Sequence, residues 1–217
     1  MERTRTEMSS ENYSQLGRLV GFLFWMIVPT VAGSMVSSIA TSGIVPDSGS
    51  GPLSLLAQIL ETGSQLAYGA VLLVMAKYQR RYRFAGICLL IPTALNLLSQ
   101  LLLPDAGTTL MSLFTTLPTI ILSMIAIYQE CKGHYEVLMP LDSELSEKWN
   151  RLWKWNIGLS IAMIVSLILT MITALSQMLP LMMAAAFLTL IVSFVAMIVS
   201  LLKLVYLYQT SKLLRGC

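Results

Sequence analysis

Apolar residues run along this chain in six long blocks, at about 19–41, 53–76, 84–103, 109–128, 156–177 and 181–202. Each approaches the roughly 20 residues that a helix needs to cross a bilayer. The pattern predicts six transmembrane helices and, because most connections are short, an all-α polytopic membrane protein built as three hairpins. "PDAG" at 104–107 supplies a tight turn between the third and fourth helices, and "SQMLP" leads into the sixth with Pro180 suited to its first turn. The first and second helices are joined by "SGIVPDSGSGP", a longer connection rich in Gly, Ser and Pro. The segments then read as a cytoplasmic N-terminus over 1–18, a membrane domain over 19–207 and a cytoplasmic tail over 208–217.

Between 129 and 155 the pattern changes. Asp142 or Ser143 can cap a helix after Pro140, and Leu145, Trp149, Leu152 and Asn156 recur at helical spacing, with Glu144, Glu147, Lys148 and Arg151 off that stripe. This predicts an interfacial helix in a cytoplasmic loop, running into the fifth span. This loop, the longest piece outside the apolar blocks, reads first as a membrane anchor; the sharper alternative is a docking site for a cytoplasmic protein partner, because the outward loops are too small to recruit one.

One polar stripe interrupts the apolar blocks. Ser54, Gln58, Glu61, Gln65 and Tyr68 follow each other at steps of 4, 3, 4 and 3 and so share one face of the second helix. A charged acid facing lipid costs on the order of 3 kcal/mol on insertion scales, so this face is expected to turn toward other helices or water. The third helix offers Thr93, Asn96 and Gln100 at a matching depth, and the first offers Ser34, Ser37, Ser38 and Thr41. The expected ligand-binding cluster is Glu61, Gln58, Gln65, Asn96, Gln100 and Tyr68, open to the outside. A carboxylate ringed by amides suits a small cationic or hydrogen-bonding solute. The competing reading is that the same groups hydrogen-bond the helices together, a modest gain of about 0.6 kcal/mol each.

Composition sharpens the class. The chain is 56% hydrophobic and 12% charged, against about 25% charged in an ordinary soluble domain. Its 14 Lys and Arg residues cluster in the N-terminal segment, the "KYQRRYR" turn, the 129–155 loop and the C-terminal end, while the alternate loops carry only Asp47 and Asp105. The positive-inside rule then puts both termini in the cytoplasm, with a plasma membrane as the expected location. The basic residues mark orientation and contact with the lipid bilayer, and nucleic acid is not an expected partner. Trp149, Trp153, Trp155 and most tyrosines form an aromatic belt on that same side. Cys88, Cys131 and Cys217 lie toward the reducing side, where no disulfide is expected.

Signals for chemistry are few. The single histidine, His134, has no second ligand at a metal-binding spacing and reads as an ordinary interfacial residue. There is no H-E-x-x-H, G-x-S-x-G, Walker loop or C-x-x-C, so neither enzyme activity nor a cofactor or metal is expected. The 14 methionines are scattered and read as packing. Pro29, Pro92 and Pro118 fall inside helices, where each frees a carbonyl. "IVPT" and "LIPT" in two odd helices, with Tyr-Gln pairs closing the even ones, hint at duplicated hairpins, although Tyr collects at membrane interfaces anyway. The sequence thus favours a permease-like or channel-like component, with a non-transporting assembly, sensing or anchoring subunit as the alternative.

Overall fold

The structure, a computed structural model, describes residues 9–41, 47–102, 109–176 and 179–217. The side chains of Ser34, Ser37, Ser38, Thr41 and Gln100, expected around the polar stripe, lie outside the described residues. Among the described residues there are six helices and no strand: α1 (Ser10–Thr41), α2 (Asp47–Met75), α3 (Arg80–Leu102), α4 (Thr109–Leu138), α5 (Ser143–Ser176) and α6 (Leu179–Arg215). The chain is all-α. Two described stretches, Ser10–Gly33 and Met183–Arg215, are long and apolar enough to cross a membrane by length and composition, with mean hydropathy 1.6 and 2.6.

The helices outrun the apolar blocks. α1 begins at Ser10, where Ser9 Oγ accepts the Asn12 amide at 3.4 Å, and the acidic Glu11 sits in the first turn. α4 continues past its apolar block to Leu138, into what reads as loop. A short turn follows, in which the Leu141 and Asp142 amides donate to the Leu138 carbonyl at 2.9 and 2.8 Å. Asp142 then caps α5 by accepting the Leu145 amide on Oδ1 at 3.0 Å. Residues 208–215, expected as a tail, extend α6. Leu207, Thr210, Ser211 and Leu214 recur at helical spacing and are all buried, so this segment has a face worth packing.

The chain forms two compact units, divided within α4 and α6: Met1–Gln129 with Leu207–Cys217, and Glu130–Tyr206. In the first unit α2 packs against both α1 and α3. Small residues allow that approach. A Cβ on Gly33 of α1 would stand 3.0 Å from the Ala57 carbonyl oxygen and 3.1 Å from the Glu61 amide nitrogen of α2. One on Gly86 of α3 would stand 3.0 Å from the Gly69 carbonyl oxygen. Backbone therefore meets backbone at both crossings, as in helix pairs held by dispersion rather than by expelled water. On α2 the buried positions Ala57, Ser64, Tyr68, Leu72 and Met75 share one face. Hydrogen bonds tie the end that carries the basic residues: Tyr78 Oη donates to Gln15 Oε1 at 2.7 Å, Arg81 Nη1 to Gln129 Oε1 at 3.2 Å, and Ser211 Oγ to the Gly17 carbonyl at 2.8 Å.

In the second unit the end of α4 and the start of α5 form a helical hairpin. Its core holds Cys131, Val137 and Leu138 from α4 with Leu145, Trp149 and Leu152 from α5. Leu145, Trp149 and Leu152 are the stripe expected from their spacing, while Glu144, Glu147 and Arg151 are exposed. Farther along, Ser166 and Thr189 share a 2.7 Å hydrogen bond between α5 and α6.

Candidate functional site

The polar stripe of α2 is graded along its length. Ser54 and Gln58 are exposed, Glu61 and Gln65 are half-buried, and Tyr68 is 8% exposed. Two of its neighbours are used to join helices. Thr30 Oγ1 on α1 and Ser64 Oγ on α2 are 2.7 Å apart, and either can donate, because Thr30 also has the Met26 carbonyl at 3.0 Å and Ser64 the Glu61 carbonyl at 2.9 Å. On the opposite side Thr93 of α3 donates to the Leu89 carbonyl at 2.9 Å and lies 3.4 Å from Gln65 Oε1. Gln65 and Thr93 are thus brought together. Asn96 takes an exposed position on α3, as Gln58 does on α2. Gln100 lies outside the described side chains.

The Glu61 carboxylate differs from these hydroxyls and amides. Its backbone is held at the α1–α2 crossing by the close approach of Gly33. Among the described residues, no hydrogen-bond donor or cation engages the carboxylate itself. A half-buried carboxylate in that state can accept a proton, coordinate a cation or receive an amine N–H, whereas Ser64 and Thr30 already spend their protons on each other and on the backbone.

A second polar cluster, in the other unit, was not legible in advance. Glu130, one helical turn before His134 on α4, accepts from Lys203 Nζ of α6 at 2.9 Å, with the carboxylate side chain 4% and the lysine 20% exposed. His134 is fully buried and stacks on Trp149 of α5, with ring centroids 4.2 Å apart and planes 25° from parallel. Burial lowers the His134 pKa from its usual range to about 4, the Glu130 charge pulling the other way and Lys203 adding to the drop. The neighbouring Cys131 thiol is pushed well above its ordinary pKa, chiefly by burial and further by Glu130, and so stays protonated. His134 is thus a neutral core ring, which corrects its reading as an ordinary interfacial residue. Ala126, Glu130, His134 and Val137 lie at steps of 4, 4 and 3 on one face of α4, and it is the structure that shows this face to be buried.

Beside that cluster Asn150 gathers three partners. Its Oδ1 accepts from Lys132 Nζ at 2.9 Å and from Trp153 Nε1 at 3.0 Å, and its amide lies 3.5 Å from Glu147 Oε2. Lys132 also stands 4.8 Å from the Tyr135 ring centre. Among the described residues no group of three or more His, Cys, Asp or Glu side chains could hold a metal ion. Compared with family models, curated proteins and solved structures, the chain matches none, and its reading rests on its own residues.

Proposed function

We propose that this protein is a small permease-like or channel-like membrane component that binds a small cationic or polar solute at the α2 stripe around Glu61. The observation that carries the reading is the state of that carboxylate. It is half-buried in an apolar helix, at a helix crossing, and unengaged among the described residues, at the junction between the exposed and buried parts of the stripe. A group that served only to join helices would be expected to be saturated, as Ser64 and Thr30 are.

The membrane setting of the proposal is a six-span protein of the plasma membrane with both termini cytoplasmic. Support comes from the large apolar side chains that α6 leaves exposed, including Met183, Phe187 and Leu190 at 69%, 67% and 66%. Further support is the antiparallel seating of the end of α6 on the start of α1, where Gly17 lies against Leu214 and Arg215, and Gly21 against Ser211.

A second reading, a non-transporting assembly or anchoring subunit with a partner at 129–155, is favoured by the close glycine crossings and the Ser64–Thr30 bond, which use the same face for packing. Thermal unfolding of the purified protein against cations, amines and polar solutes separates the two. A ligand at a hundredfold excess over Kd stabilises the folded state by about 2.7 kcal/mol. The solute reading expects such a shift in wild type and its loss in Glu61→Gln. If no solute shifts the wild type and Glu61→Gln is as stable or more so, Glu61 is a packing residue and the second reading stands.

A further inference from the structure

The end of α6 and the start of α1 enclose a groove of about 300 Å³ whose wall changes character along its length. Phe24, Trp25 and Tyr208 line one part, and Lys212 and Arg215 the other. Phe24 ties the aromatic wall together, its ring 5.5 Å from Trp25 and 6.0 Å from Tyr208. Trp25 is 65% exposed, a large apolar surface left uncovered beside the cations. Among the described residues no carboxylate pairs with Lys212 or Arg215.

The floor of the groove is shaped for Arg215. At Gly21 any Cβ would overlap the Arg215 guanidinium, and Ser211 Oγ would be 3.0 Å away, so the absence of a side chain there lets the arginine lie across α1. At Gly17 a Cβ would meet the Arg215 backbone nitrogen at 2.9 Å. Gly17 is therefore needed for the two backbones to touch, whereas Gly21 is needed chiefly for the arginine side chain that crosses it and for the seat of Ser211.

We propose that this groove is a seat for one anionic phospholipid, its phosphate held by Lys212 and Arg215 and its acyl end laid along Tyr208, Phe24 and Trp25. Charge complementarity selects the headgroup, and dimensions select a lipid over a soluble anion. The seven helical steps from Tyr208 to Arg215 rise about 10 Å along the helix. A bilayer adds about 5–8 Å of headgroup region to each side of its hydrocarbon core, so a groove of that length starts among headgroups and ends among acyl chains. A free phosphate would use only the basic end and leave the exposed Trp25 unexplained. The apolar groove between α5 and α6 has Lys154 and Trp155 at one end, a single cation, and serves as an internal comparison. The lipid seat is independent of any role for Glu61.

The test is native mass spectrometry of the full chain in neutral detergent, titrated with dioctanoyl phosphatidylglycerol, with dioctanoyl phosphatidylcholine and, as competitor, with inorganic phosphate. Wild type is expected to retain one phosphatidylglycerol in preference to phosphatidylcholine. The double variant K212Q/R215Q is expected to bind it about 30-fold more weakly, the factor equivalent to about 1 kcal/mol per basic residue. Both side chains are exposed, so their removal leaves the helices packed. Gly21→Ala displaces the flexible end of Arg215, with a smaller adjustment at Ser211 Oγ, and should weaken binding several-fold, while Lys154→Gln leaves binding as it was. An unchanged affinity in the double variant, or equal binding of the two lipids, overturns the proposal. Competition by phosphate at concentrations matching the lipid overturns the assignment to a membrane lipid.

Discussion

Lowering the pH should destabilise this protein through His134 in particular, and the size of the effect follows from its surroundings. The ring is fully buried against Trp149, and burial lowers its pKa to about 4 from the ordinary imidazole value of 6.5. In the unfolded chain the imidazole takes up a proton as pH drops through 6.5, whereas the folded state resists until about 4. The unfolded state therefore binds more protons throughout that window, and stability falls as pH falls. The contribution is fully present above about pH 6.5 and, at about 1.4 kcal/mol per pH unit, some 3 kcal/mol is lost by about pH 4. Urea unfolding in neutral detergent, followed by circular dichroism at several pH values, measures it. Carboxylates also titrate in this range, so the informative quantity is the difference between wild type and His134→Gln, in which groups common to both cancel. The variant should be less stable near neutral pH, because it loses the stack on Trp149, and the gap should narrow by about 3 kcal/mol toward pH 4. Parallel pH profiles for the two proteins would refute a buried neutral ring, whatever their absolute stabilities.

Two further outcomes follow from the packing. Lys203→Ala leaves Glu130 at 4% exposure without its cation and should cost about 3 kcal/mol, while the double change Glu130→Leu/Lys203→Met should recover most of it, as equilibrium unfolding of the three variants would register; equal losses in single and double variants would contradict the pairing. Gly86→Leu drives a side chain into the Gly69 carbonyl and Leu73 of α2 and should cost about 1–3 kcal/mol or more, whereas Gly63→Leu, where a Cβ meets nothing within 4 Å, should be near neutral; thermal melts of the pair compare a crossing with an open helix face.

Periodicity alone carried a large part of the architecture. Blocks of about 20 apolar residues imply helices because lipid offers the backbone no hydrogen-bonding partner, and an amphipathic start to α5 follows from Leu145, Trp149 and Leu152 at steps of 4 and 3. The cap at Asp142 was equally local, needing only an acceptor three residues before the Leu145 amide. The shared face of Ser54, Gln58, Glu61, Gln65 and Tyr68 was also readable, since 3.6 residues per turn fixes which side chains are neighbours on one helix.

What periodicity could not supply was the partner of each face. That Thr30 meets Ser64, or that Gly86 admits the Gly69 carbonyl, depends on how two helices cross, and the sequence carries no term for crossing angle or offset. Glu130 and Lys203 are 73 residues apart and His134 reads from sequence as a lone interfacial histidine, so only the fold could turn them into a buried pair beside a stacked neutral ring. The end of α6 reads as a basic tail until α1 is laid beside it. Gly17 and Gly21 then become the floor on which Ser211, Leu214 and Arg215 rest. Local spacing determines what a helix can present. Tertiary packing determines which of those groups is buried, paired or left open, because desolvation and contact are properties of neighbours brought from far along the chain.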